Sequence, residues 1–199
     1  MSTLSNFLGL DKLKSDPKAY AAALYLYAVV GLTVVFFLIH AYFGLYRVFL
    51  YLSIFQILNV WSLIMVLKGK STETAIKLQS FGFIINPIFV TLTQGDLLNS
   101  GLVILWGILS VCQIAFFVGW EAFTKWVSAY FVAFLTLLAF QAAEIPTMQW
   151  FNPIFGSEDI QQFILRTKDQ ILLCSCTIFG MALLFTIMIG STRRQLIWE

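Results

Sequence analysis

Six stretches of this chain carry no Asp, Glu, Lys or Arg and are filled mainly with apolar residues. They are Ala19–Tyr46, Val48–Leu67, Leu78–Gly95, Leu97–Trp120, Trp126–Ala143 and Gln170–Thr192. A bilayer core about 30 Å thick is crossed by roughly 20 apolar residues, because a helix rises about 1.5 Å per residue. Each stretch is close to that length. The pattern therefore predicts an all-α fold: a polytopic integral membrane protein of about six transmembrane helices forming a single bundle over residues 19–192.

Short segments frame the expected bundle. In the interfacial segment 1–18, Phe7, Leu8, Leu10 and Leu13 alternate with Asp11, Lys12 and Lys14 at roughly helical spacing. This fits a short amphipathic helix on the membrane surface, with a disordered tail as the alternative. Asp16 is placed to cap the next helix and Pro17 to occupy its first position, where a missing N–H costs nothing. The charges before the first apolar stretch, and its length, argue for an uncleaved anchor rather than a signal peptide.

The third stretch differs from the others. Asn86-Pro87 sits in the middle of only 18 residues, and proline both removes a helical hydrogen bond and clashes with the preceding turn. The third helix is thus expected to be kinked or broken. Broken helices persist at membrane depth where neighbours, side chains or water satisfy the freed carbonyls. Asn86 and Pro87, with Thr91, Thr93 and Gln94 beyond them, are accordingly candidates for a solute path, the alternative being an ordinary packed kink.

Charge sets the expected orientation. Counted on alternate sides of six spans, nine Lys and Arg fall on the side of both termini and three on the other, so the termini are expected to face the cytoplasm or its equivalent. The tail 193–199 lies on that side, and the largest loop, 144–169, on the opposite one. That loop mixes Trp150, Phe151 and Phe155 with little charge in its first half, as an interfacial segment or docking surface would.

Composition agrees with the membrane reading, since 60% of residues are hydrophobic and 11% charged, against about 45–50% and 25% in soluble domains. A net charge of +2 without a basic stripe gives no expectation of nucleic-acid binding. Cys112, Cys174 and Cys176 all lie inside apolar stretches, which argues for buried small side chains rather than disulfides. No metal site, catalytic residue or cofactor is expected beyond bound lipid.

Few polar groups occur at membrane depth. Gln56 and Asn59 are three apart and share a helical face, and Gln113 and Gln141 lie in the fourth and fifth spans. Such groups serve as interhelical glue or line a pore. His40 and Glu144, at the outer ends of the first and fifth spans, could form a pair, with interfacial solvation the simpler alternative. Ala129/Ala133 and Cys176/Gly180 have the small-xxx-small spacing of close helix contacts. These features lead to two functional expectations. The first is a non-catalytic subunit or scaffold of a larger membrane complex, whose partners are lipid and other membrane chains or a second copy. The second is a small uncharged-solute or lipid transporter.

Overall fold

A computed structural model describes residues 9–42, 44, 48–94, 103–142 and 167–198, with no account of the side chains at 50, 92–94, 140–142, 167–168 and 191–198. Within these residues the chain is all-helical. The helices are α1 (Pro17–Tyr42), α2 (Val48–Leu67), α3 (Thr72–Gln94), α4 (Trp106–Phe117), α5 (Trp120–Ala142) and α6 (Thr167–Trp198), with 3-10 turns at Leu10–Leu13 and Val103–Leu105.

Local chemistry accounts for several of these boundaries. Asp16 Oδ1 accepts from Ala19 N–H at 2.9 Å, with Pro17 as the first helical residue, so α1 is capped as its sequence predicts. At the end of α2, Lys70 N–H reaches Met65 C=O and Gly69 N–H reaches Val66 C=O, both at 2.9 Å. Gly69 has φ 67°, a left-handed conformation that glycine adopts without a Cβ penalty. Ser71 Oγ then accepts from Thr74 N–H at 3.3 Å and opens α3. Only Val118 and Gly119 separate α4 from α5, so these two helices form a tight antiparallel hairpin.

Helix packing builds a ring. α1 packs against α2 and α6, α3 against α2 and α4, and α4 reaches α6, which closes the circuit; α5 lies outside it, on α4 and one edge of α3. The most central helix is α1. Ala21, Ala22 and Ala23 are all buried, which covers more than one face and lets neighbours approach from both sides. On α6, a Cβ added to Gly180 would lie 3.3 Å from Leu32 and 3.4 Å from Trp106, so the Cys176/Gly180 spacing does mark a close helix contact. Ala129 on α5 is exposed and does not. At one end of the bundle Lys18 Nζ lies 3.3 Å from Glu73 Oε1, tying the start of α1 to the start of α3.

Among the described residues three helices are long and apolar enough to cross a membrane: Pro17–Tyr42, Trp120–Ala139 within α5 and Asp169–Gly190 within α6, of 26, 20 and 22 residues. The shorter apolar segments Tyr51–Leu67 and Val103–Phe117 have at most 17 residues. The first belongs to α2, whose full 20 residues reach about 30 Å at about 1.5 Å per residue, the thickness of the core. Helix α3 is long enough, but it begins on Glu73 and Lys77 and carries Gln79, Ser80 and Asn86.

The helices therefore differ from the uncharged stretches in several places. Helix α3 starts six residues before Leu78 and runs through Pro87 without interruption, so the third helix is not broken. Proline's missing N–H leaves a single gap in the ladder, opposite Phe83 C=O, and the turns on both sides continue. Helix α5 likewise starts at Trp120 and takes in Glu121 and Lys125 ahead of the uncharged stretch that opens at Trp126. At the N-terminus, Leu10 and Leu13 lie on a 3-10 turn and are buried against α1 and α2, because residues three apart eclipse there and give one apolar edge to the bundle. Phe7 and Leu8 and nearly all of the loop 144–169, with Trp150, Phe151 and Phe155, lie outside the described residues.

Candidate functional site

Several polar side chains of the ring helices are buried, and some hydrogen-bond across helices. Asn59 Nδ2 on α2 donates to Thr33 Oγ1 on α1 at 3.4 Å, and Thr33 in turn donates to Val29 C=O at 2.8 Å. One turn away, Gln56 Nε2 donates to Val30 C=O at 3.2 Å. Both Gln56 and Asn59 thus face α1, as their spacing of three predicts. Gln113 Nε2 on α4 donates to Ser80 Oγ on α3. These bonds tie α2 to α1 and α4 to α3, which is the glue role expected of neutral polar groups between apolar helices.

Toward the opposite end from Lys18 and Glu73, the ring helices line a partly open cavity of about 30 Å³ between α1, α2, α3 and the start of α4. Its walls are largely apolar, with Leu52, Phe55 and Val90 among them; its polar members include His40, Asn86 and Trp106, and Pro87 also lines it. Aromatic rings pack in sequence around it: Phe55 to Phe83 at 4.9 Å, Phe83 to Trp106 at 5.7 Å and Trp106 edge-on to Phe36 at 4.9 Å. Such a wall fixes side-chain positions rigidly, because each ring is held by two neighbours.

His40 is only 1% exposed, so interfacial solvation does not describe it. Its Nδ1 lies 2.8 Å from Phe36 C=O one turn earlier on α1. A carbonyl only accepts, so Nδ1 carries the proton, and the free edge of the neutral ring presents Nε2 as a bare acceptor. A charged ring there would be a buried cation, and among the described residues no acidic side chain lines the cavity to balance it. Nε2 of His40, Oδ1 of Asn86 and Nε1 of Trp106 all lack a hydrogen-bond partner among the described residues. Eleven buried side-chain atoms among the described residues are unpaired, and these three belong to residues that line one cavity, although buried polar groups are ordinarily paired.

Of the other residues singled out from sequence, Thr91 is buried on α3. Gln94 and Gln141 lie on α3 and α5, but their side chains are outside the description, as is all of Glu144 and hence its pairing with His40. Thr33, Gln79, Ser80 and Trp106 were not legible as site residues. Gln79 and Ser80 sit at the edge of an uncharged stretch, where polar residues read as interfacial, and only the phase of α3 carries them inward. Among the described residues no three His, Cys, Asp or Glu side chains converge. The chemistry this arrangement supports is neutral hydrogen bonding in an apolar enclosure. Comparison with protein-family models, curated proteins and solved structures gives no match to this chain.

Proposed function

We propose that the chain is an integral membrane protein of six spans, its termini on the cytoplasmic or equivalent side, acting without catalysis as a component of a larger membrane assembly. The position of α5 carries this reading. Its apolar window is only 11% buried, against 39% for α1, and Phe131, Val132, Leu135 and Leu138 are exposed along it. Residues 131, 135 and 138 follow the helical repeat, so they form one stripe. A helix hung outside a closed ring contributes little to the ring's own packing and offers its free face to a neighbour. In lipid, association of this kind depends on shape and close packing rather than on a hydrophobic driving force.

The native mass in mild detergent or nanodiscs tests this reading. A single chain has a mass of 22.6 kDa. The expected protein mass is larger, and Phe131→Ala with Leu135→Ala is expected to return it to that of one chain. A stable, monodisperse monomer from the unaltered protein would rule the reading out.

The cavity beside Asn86 and Pro87 favours a second reading, passage of a small uncharged solute along the polar interior of the ring. Here Asn86→Leu with Pro87→Leu is expected to abolish flux of a small neutral solute into proteoliposomes. Flux that persists unchanged through these replacements would exclude this route.

A further inference from the structure

The three unpartnered atoms of the cavity define a hydrogen-bonding pattern. His40 Nε2 and Asn86 Oδ1 are acceptors, whereas Trp106 Nε1–H is a donor. A complementary occupant needs two donors and one acceptor. An anion brings only acceptors and meets two lone pairs. A simple alcohol has one O–H, which leaves an acceptor unmatched. Water has two donors and two acceptors, and ammonia has three donors and one acceptor; both fit. Size selects the same class. About 10–15 Å³ suffices for one water, and the cavity provides about 30 Å³. The aromatic ring sequence leaves little room for a larger molecule without repacking.

We propose that this cavity binds a water-sized neutral molecule with two or more O–H or N–H donors, water or ammonia, held by His40, Asn86 and Trp106. The molecule completes the hydrogen bonds of the three buried groups, each of which costs free energy while unpaired. The site shares Asn86 with the solute-path reading but does not depend on it, since a bound molecule need not pass through. Flux and occupancy are therefore read separately.

The chain contains a single histidine, so 15N-histidine labelling of the full protein in nanodiscs gives one pair of ring nitrogen signals. The expected spectrum shows a protonated Nδ1 and an unprotonated Nε2 shifted upfield from the free imine value by accepting a hydrogen bond. Magnetisation transfer from water to the ring, with no response to alkaline ammonium chloride, would assign the occupant as water. A saturable Nε2 shift with ammonium chloride would assign it as ammonia. Either result supports the site. Asn86→Leu and, separately, Trp106→Phe are expected to move Nε2 back toward the free value, in samples whose melting temperature shows them folded. An Nε2 at the free imine value in the unaltered protein, without transfer from water and unmoved by ammonium chloride, would overturn the proposal; so would an Nε2 that ignores Asn86→Leu.

Discussion

Gly107→Ala is expected to destabilise the bundle by about 2 kcal/mol, within the range for overpacked interiors, and Gly107→Leu to detach α5 from α4. A Cβ built on Gly107 would collide with two ring carbons of Tyr130, well inside van der Waals contact. The ring edge of Tyr130 lies against the backbone of α4 at this point. Tyr130 cannot move away freely, because it packs with Ile84 of α3 and Val111 of α4 in a small cluster of its own. The three side chains join α5 to the ring, so displacing Tyr130 loosens the main attachment of the outlying helix. Thermal unfolding in detergent, followed by tryptophan fluorescence, reads the loss. Tyr130→Leu in the Gly107→Ala background is expected to recover most of it by removing the ring that the new methyl strikes. An unaltered melting temperature for Gly107→Ala would show that α4 and α5 do not meet in this register.

Consequences for assembly follow from the same contact. If α5 is the face offered to another membrane chain, Gly107→Leu disrupts association without touching Phe131 or Leu135. The ring of α1, α2, α3, α4 and α6 does not include α5 in its closure, and its interhelical bonds from Asn59 to Thr33 and from Gln113 to Ser80 lie elsewhere. Loss of native mass with retention of a folded ring would place the weakness at the Tyr130 cluster.

How far the sequence reveals this architecture depends on the kind of signal each element carries. Asp16-Pro17 is read directly, because capping is local and involves neighbouring backbone groups only. The spacing of Gln56 and Asn59 reveals that they share a face, while their partners Val30 and Thr33 become visible only when α1 is laid beside α2. Uncharged stretches mark where charge is avoided, not where helices stop. Helix α3 accepts Glu73 and Lys77 in its first turns, since a helix end tolerates solvated charge, and so begins well ahead of its apolar stretch. At Asn86-Pro87 the chemistry that suggests interruption is real, but one missing N–H does not outweigh packing on both sides of the helix. His40 was hidden for a different reason. A histidine near the end of an apolar stretch resembles an interfacial residue, and its burial arises from a cavity whose walls come from four elements. Gly107 gives no signal, because the ring it accommodates, that of Tyr130, lies on the next helix.

Asn59→Asp is expected to destabilise the protein by about 3 kcal/mol, near the cost of an acidic residue at the centre of a membrane helix, whereas Asn59→Leu is expected to change stability by less than about 1 kcal/mol. Asn59 is fully buried on α2. Its Nδ2 donates to Thr33, and its Oδ1 has no partner among the described residues. The acid removes the donor that reaches Thr33 and adds a charge where no cationic side chain is hydrogen-bonded to it. Leucine removes the same bond, which is worth about 0.6 kcal/mol on average between membrane helices, but it also removes the unpaired oxygen, so the two effects oppose one another. The contrast between the variants separates a dry, packed interface from a water-filled path at this level of the bundle. In a dry interface the two replacements differ by several-fold in their effect on unfolding in mixed detergent. Along a hydrated path the carboxylate is solvated, and Asn59→Asp melts close to the unaltered protein. A large difference therefore confines accessible hydration to the cavity beyond Thr33, where His40 and Asn86 lie; near-equality extends it through the bond between α1 and α2 and makes that bond part of the path.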